Sequence, residues 1–121
     1  MKKISVGFLV FNENENLKQT ILKAHSSLKR FSNDFEICVF DNNSSDGTSK
    51  TVEDLCKEIN ELVLFKQSKN IGYAQNLHSA ISNMNANFIF ILDGDGQYDV
   101  DDVKDSIRLL ENNDVIFGIR K

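Results

Sequence analysis

The sequence predicts an α/β fold, a mostly parallel sheet flanked by helices. Three observations carry that expectation. Short apolar runs alternate along the chain with stretches whose apolar residues recur at helical spacing. Most of these runs end at a stretch rich in Asp, Asn, Ser or Gly. The chain has 121 residues, 40% of them apolar and 26% charged, which suits one domain with a real core. Strands alternating with helices form β-α-β units, and their crossovers make neighbouring strands parallel.

Ile4 to Phe11 is apolar and β-branched enough for a buried strand, and the polar Asn12 to Asn16 offers helix caps. Leu17, Ile21, Ala24 and Leu28 repeat at helical spacing, with Lys18, Lys23, Lys29 and Arg30 outside. Phe35 to Phe40 is the second strand. The polar stretch Asp41 to Thr48 is a loop, in which Asp46 or Thr48 can cap a helix that buries Val52, Leu55, Cys56 and Ile59. Leu62 to Phe65 is the third strand, and Ser68 to Gly72 a turn. Ala74, Leu77, Ala80, Ile81 and Met84 mark the third helix. Phe88 to Leu92 is the fourth strand, Val103, Ile107 and Leu110 mark the fourth helix, and Val115 to Phe117 a fifth strand.

Composition excludes several function classes. With 14 Lys plus Arg against 18 Asp plus Glu the formal net charge is −4, so there is no general electrostatic footprint for nucleic acid. Cys38 and Cys56 make no disulfide framework, and no Cys/His spacing suggests zinc; both read as buried, inert thiols. The apolar runs fall far below the roughly 20 residues that span a bilayer. Lys2 and Lys3 precede an apolar stretch without a small-residue cleavage site, so no signal peptide is expected. The expected location is the cytoplasm, or the cytoplasmic face of a membrane. His25 and His78 read as surface or boundary residues, and Asp99, Asp101 and Asp102 as first-turn helix charges.

In a parallel sheet, ligands bind outside the carboxyl ends of the strands. Those ends carry Asn12 and Glu13, Asp41, Asn42 and Asp46, Asn70 and Gly72, Asp93, Asp95 and Gln97, and Gly118 and Arg120. A rim of carboxylates and amides over apolar strands suits a polar ligand together with a hard cation. In Asp93-Gly94-Asp95-Gly96-Gln97, two carboxylates two apart at a strand end can face one pocket, and the glycines permit a tight turn. Oxygen ligands of this kind suit Mg²⁺ or Mn²⁺, which bridge substrate phosphates. The same residues also fit a plain polar turn with Asp99 capping the next helix. An EF-hand is excluded, because counting from Asp93 puts Tyr98 and Lys104 where glycine and glutamate are required. Asp41 to Thr48 likewise reads either as a nucleotide-contacting loop or as a strand-to-helix turn.

Phe8 to Leu17, Asp41 to Thr48, Asn70 to Asn76, Asp93 to Gln97 and Asp114 to Arg120 run in order across nearly the whole chain, and together they resemble the motifs of family 2 glycosyltransferases, inverting enzymes with the GT-A fold. Phe8-Leu9-Val10-Phe11-Asn12-Glu13-Asn14-Glu15-Asn16-Leu17 resembles their opening strand and turn. Asp41-Asn42-Asn43-Ser44-Ser45-Asp46-Gly47-Thr48 is similar to their nucleotide-binding loop, and Asn70-Ile71-Gly72-Tyr73-Ala74-Gln75-Asn76 to their Asn-x-Gly-x-x-x-Asn segment. Asp93-Gly94-Asp95-Gly96-Gln97 resembles their Asp-x-Asp metal motif, in the form seen in polyprenyl-phosphate sugar transferases such as dolichol-phosphate mannose synthase. Asp114 to Arg120 resembles the strand and basic residue that follow. The fold implied is the three-layer, Rossmann-like GT-A nucleotide-binding half, with residues 1–121 as one donor-binding domain that stops before an acceptor-binding part.

The resemblance implies roles. Leu9, Phe11 and Glu13 would line the nucleotide pocket, and Asp41 would contact base or ribose. Asn42, Asn70, Gly72, Asn76 and Gly94 belong to the donor-binding motifs. Asp93 would touch sugar or ribose. Asp95 and Gln97, with Asp93, would hold Mg²⁺ or Mn²⁺ against the diphosphate, and Arg120 would approach the phosphates. Leu9 stands where proline is common, a departure that bears on pocket shape. The implied ligand is a UDP- or GDP-sugar, the acceptor a lipid carrier or glycan. The catalytic base would lie beyond these motifs, so a non-catalytic donor- or metal-binding module is the alternative to a working transferase. Other α/β classes fit poorly. Gly7 stands alone where a dinucleotide enzyme needs Gly-x-Gly-x-x-Gly, and Phe65-Lys66-Gln67 offers no receiver aspartate. Nor is the acidic Asn12 to Asn16 turn the glycine-rich basic loop of a nucleotidyltransferase. An exposed sheet edge near Val115 to Phe117 would favour self-association into a homo-oligomer.

Overall fold

The computed structural model describes residues 3–96 and 99–117. Four strands and four helices alternate: β1 (Ile4–Val10), α1 (Asn14–Phe31), β2 (Phe35–Asp41), α2 (Thr48–Cys56), β3 (Leu62–Lys66), α3 (Tyr73–Asn83), β4 (Phe88–Asp93) and α4 (Asp101–Leu110). All pairings are parallel, and the strand order is β3-β2-β1-β4. The expected α/β class and three layers are both present.

Handedness explains which helix lies where. The chain steps from β1 to β2 to β3 in one direction, and right-handed crossovers put α1 and α2 on one face. From β3 it doubles back across the sheet to β4, which puts α3 on the opposite face. The packing follows. Val6, Phe8, Val10, Ile37 and Val39 meet Leu17, Ile21, Leu28, Val52 and Val103 in the larger core, while Leu9, Cys38 and Phe40 meet Ala80 and Met84 beneath α3. β1 is buried along its whole length because it has a strand on each side and helices on both faces. Gly7 is part of that fit, since a Cβ there would sit 2.8 Å from Met84 Sδ.

Two expectations need correction. Val115 to Phe117 forms no strand; Val115 is 65% and Phe117 84% exposed. A three-residue run offers few ladder bonds, and neither side chain finds a surface to bury it. Self-association through an edge at those residues therefore has no structural basis, and β4 is the outer strand on that side among the described residues. The second correction concerns the start of α1, which takes its cap from another loop rather than from Asn12 to Asn16. Asp46 Oδ2 accepts from the Asn14 N–H at 3.1 Å and Thr48 Oγ1 from the Glu13 N–H at 3.1 Å.

His25 and Asp99 stand as expected, and Cys56 does not. His25 is half-buried, 3.3 Å from Glu61 and tilted against Phe35. Cys38 is buried, whereas Cys56 is only partly so. Asp99 Oδ1 accepts from the Asp101 N–H at 2.9 Å at the start of α4. Among the described residues no helix is long and apolar enough to cross a membrane.

Candidate donor-binding site

The order β3-β2-β1-β4 reverses between β1 and β4, and in an open parallel sheet the crevice above such a reversal is where ligands bind. A cavity of about 430 Å³ opens there, within the usual range for small-molecule sites. Leu9, Phe11, Glu13, Asn42, Asn70, Gly72, Asn76, Asp93, Gly94 and Asp95 all line it, so the fold brings together residues from four separate segments of the sequence. Val10 and Tyr73 also line it and were not expected. Tyr73 carried a detectable signal: it follows the glycine that closes the turn after β3, and it opens a helix. Gln97 and Arg120 lie outside the described residues.

Each segment is held by its own backbone chemistry. Leu9 pairs in register with Asp93, and Leu9 O accepts from the Gly94 N–H at 3.0 Å, so the acidic turn is tied to the end of β1. A Cβ on Gly94 would lie 2.3 Å from Val10 Cγ1; only glycine lets the chain turn this close to β1. Asn42 N donates to Val10 O at 3.0 Å, and Asn42 Oδ1 accepts from the Ile71 N–H at 2.8 Å. Gly72, with φ 82 and ψ 162, occupies a region open essentially to glycine alone, and its N–H donates to Asn70 Oδ1 at 2.9 Å. Asn76 is buried, and its Nδ2 donates to Phe40 O at 3.0 Å.

Asp41 does not line the cavity. It is fully buried, and its Oδ1 accepts from the Ser44 backbone N–H at 3.0 Å and the Ser44 hydroxyl at 2.5 Å. Its Oδ2 is buried with no hydrogen-bond partner among the described residues. In this geometry Asp41 shapes the loop that carries Asn42. The neighbouring turn is cross-stitched: Asn12, itself left-handed at φ 53, donates its N–H to Ser44 Oγ at 2.8 Å and accepts from the Ser45 N–H at 2.8 Å.

Among the described residues the rim gathers carboxylates. The Glu13 carboxyl is held above its ordinary value, first by partial burial and then by the charges of Asp95, Asp46 and Asp93. Crowded carboxylates of this kind are relieved by a cation. Among the described residues no group of three His, Cys, Asp or Glu side chains is placed to hold a metal ion by itself. Mg²⁺ and Mn²⁺ sites that serve nucleotides need less, since one or two carboxylates suffice when phosphates and waters complete the shell. Asp93 and Asp95 on the cavity wall fit that pattern.

Comparison with known proteins agrees with the geometry. The family model described as Glycosyl transferase family 2 matches residues 5–121. An undecaprenyl-phosphate 4-deoxy-4-formamido-L-arabinose transferase of Proteus mirabilis is 24% identical over 122 residues, covering 100% of this chain and 37% of that protein. Among solved structures, the mannosyltransferase PcManGT of Pyrobaculum calidifontis, in complex with GDP-Man and Mn2+, superposes with a TM-score of 0.69 at 21% identity, over 78% of this chain and 28% of that one. TarS 1-349 of S. aureus, in complex with UDP, gives a TM-score of 0.72 at 21% identity, over 90% of this chain and 32% of that one. The chain spans between 31% and 49% of the length of four curated relatives it matches, the Proteus mirabilis protein among them. The fold is that of GT-A glycosyltransferases, and the chain belongs to glycosyl transferase family 2.

Proposed function

We propose that this chain binds a nucleotide-diphosphate sugar, UDP- or GDP-linked, together with Mg²⁺ or Mn²⁺, as the donor-binding part of an inverting glycosyltransferase. The observation that carries this reading is the cavity at the β1/β4 reversal, lined by the carboxylates of Asp93 and Asp95 together with Asn42, Asn70 and Asn76. Leu9 and Phe11 supply apolar surface for a base, with Phe11 46% exposed at the opening. Asp93 and Asp95, joined by Gln97, are the residues that would hold the cation, and Arg120 the residue that would approach the phosphates. A bound divalent cation supplies charge neutralisation for the departing nucleoside diphosphate. The relative from Proteus mirabilis, named for undecaprenyl phosphate, supports a polyprenyl-phosphate acceptor and with it a place at a membrane surface.

Calorimetry with UDP and with GDP, each in Mn²⁺ and in EDTA, tests the reading. Binding in Mn²⁺ that disappears in EDTA and in Asp95→Ala is the expected result. Nucleotide binding indifferent to both would sink the cation assignment, and no binding of either nucleotide would sink the donor assignment.

A further inference from the structure

Tyr73 is 61% exposed, yet its phenol is committed: the Oη–H donates to Asp93 Oδ1 at 3.1 Å. The two residues are 20 apart in sequence and belong to different elements, so their meeting is a product of the fold. Each is anchored independently. Tyr73 begins α3 directly after the Gly72 turn, and that turn is tied to β2 through Asn42 Oδ1 to the Ile71 N–H and through Asn76 Nδ2 to Phe40 O. Asp93 ends β4, in register with Leu9 of the central strand. The phenol therefore spans the cavity wall from α3 to β4.

The chemistry of the donor is specific. The rim is crowded with carboxylates, and a lysine or arginine reaching Asp93 would neutralise it and repel an incoming cation. A phenol O–H orients the carboxylate without adding charge. It occupies Oδ1 and leaves the other oxygen for a ligand, while the flat ring adds apolar surface to the part of the lining that Asn70, Gly72 and Asn76 supply.

Resting on the donor-and-cation reading above, we propose that Tyr73 is a positioning residue with two separable parts: a hydroxyl that fixes Asp93 for cation binding, and a ring that forms the α3 wall against the nucleotide sugar. The hydroxyl acts through Asp93; the ring acts on the ligand directly.

The test titrates the full chain, wild type, Tyr73→Phe and Tyr73→Ala, with Mn²⁺ at fixed UDP and at fixed GDP, and then with each nucleotide at saturating Mn²⁺. Tyr73→Phe is expected to raise the Mn²⁺ concentration for half-saturation about tenfold, the scale of one lost hydrogen bond to a charged group, while nucleotide affinity at saturating Mn²⁺ stays within about twofold. Tyr73→Ala is expected to weaken both. A role confined to supporting α3 would weaken both equally in Tyr73→Phe, and that result overturns the proposal, as does an unchanged Mn²⁺ requirement. Wild type that binds nucleotide through Mn²⁺ while Tyr73→Phe matches it overturns this inference alone. Wild type that binds neither nucleotide overturns the donor reading and this inference with it. Thermal unfolding of each variant establishes that it is folded.

Discussion

Gly94 shows how little room separates the acidic turn from the core. A methyl group there would penetrate Val10, which is itself packed in the larger core and cannot withdraw. Gly94→Ala should lower the unfolding free energy by about 1–3 kcal/mol in urea denaturation, and under the proposed cation assignment should raise the Mn²⁺ concentration that nucleotide binding requires, by displacing Asp93 and Asp95. The tight turn was legible from the glycine, but its cause was not, because Val10 lies on a distant stretch of chain. Cys38 is a second case. Burial raises its thiol to about 11, with the Ser5 hydrogen bond opposing and the Glu36 charge adding to the rise. The folded chain thus holds this proton more tightly than the unfolded chain does, so the contribution is complete below about 9 and is lost as pH rises toward 11. Against Cys38→Ala, which lacks the group, wild-type stability should fall more steeply over that interval in alkaline urea titrations. At neutral pH a thiol reagent should modify Cys56 first, with Cys38 reacting only on unfolding.

Asp46 serves two helices at once. Its Oδ2 receives the Asn14 N–H at the start of α1, and its Oδ1 receives the Thr48 N–H at 3.0 Å and the Thr48 hydroxyl at the start of α2. Slight burial works to raise its carboxyl, but the hydrogen bonds from Thr48 and Asn14 outweigh it and hold the group below the ordinary 3.8. Asp46→Ala should destabilise by about 1–2 kcal/mol at neutral pH, the scale of a lost helix cap. A depressed carboxyl contributes stability above its unfolded value and loses it as pH falls through the folded one. The difference between wild type and Asp46→Ala should therefore narrow below 3.8 in acid-denaturation curves. Apolar periodicity disclosed the four helices, since each must bury one face. The cap of α1 was hidden because its partner stands 32 residues away. The three apolar residues at 115–117 show the converse: a strand-like run stays outside the sheet when no surface receives it.

At the scale of the whole molecule, stability rests on the larger core and function on the strand order. Phe8 is fully buried at the centre of that core, and Phe8→Ala should cost about 3–5 kcal/mol, a large share of the 5–15 kcal/mol typical of a domain; urea denaturation followed by far-ultraviolet circular dichroism measures it. Phe40, stacked on Phe65 beneath α3, ties the smaller core to the same sheet. The sequence by itself determined the alternation of strands and helices, the polar rim, and the motifs that place the chain in its family, because burial periodicity and turn chemistry are local properties. Only the tertiary structure decided that β4 lies beside β1, that Leu9 and Asp93 stand in register, that Asp41 supports the loop beneath the site, and that Tyr73 reaches Asp93. Periodicity records that a face is buried but not against what. The neighbour is chosen by crossover handedness and by packing between residues far apart in the chain.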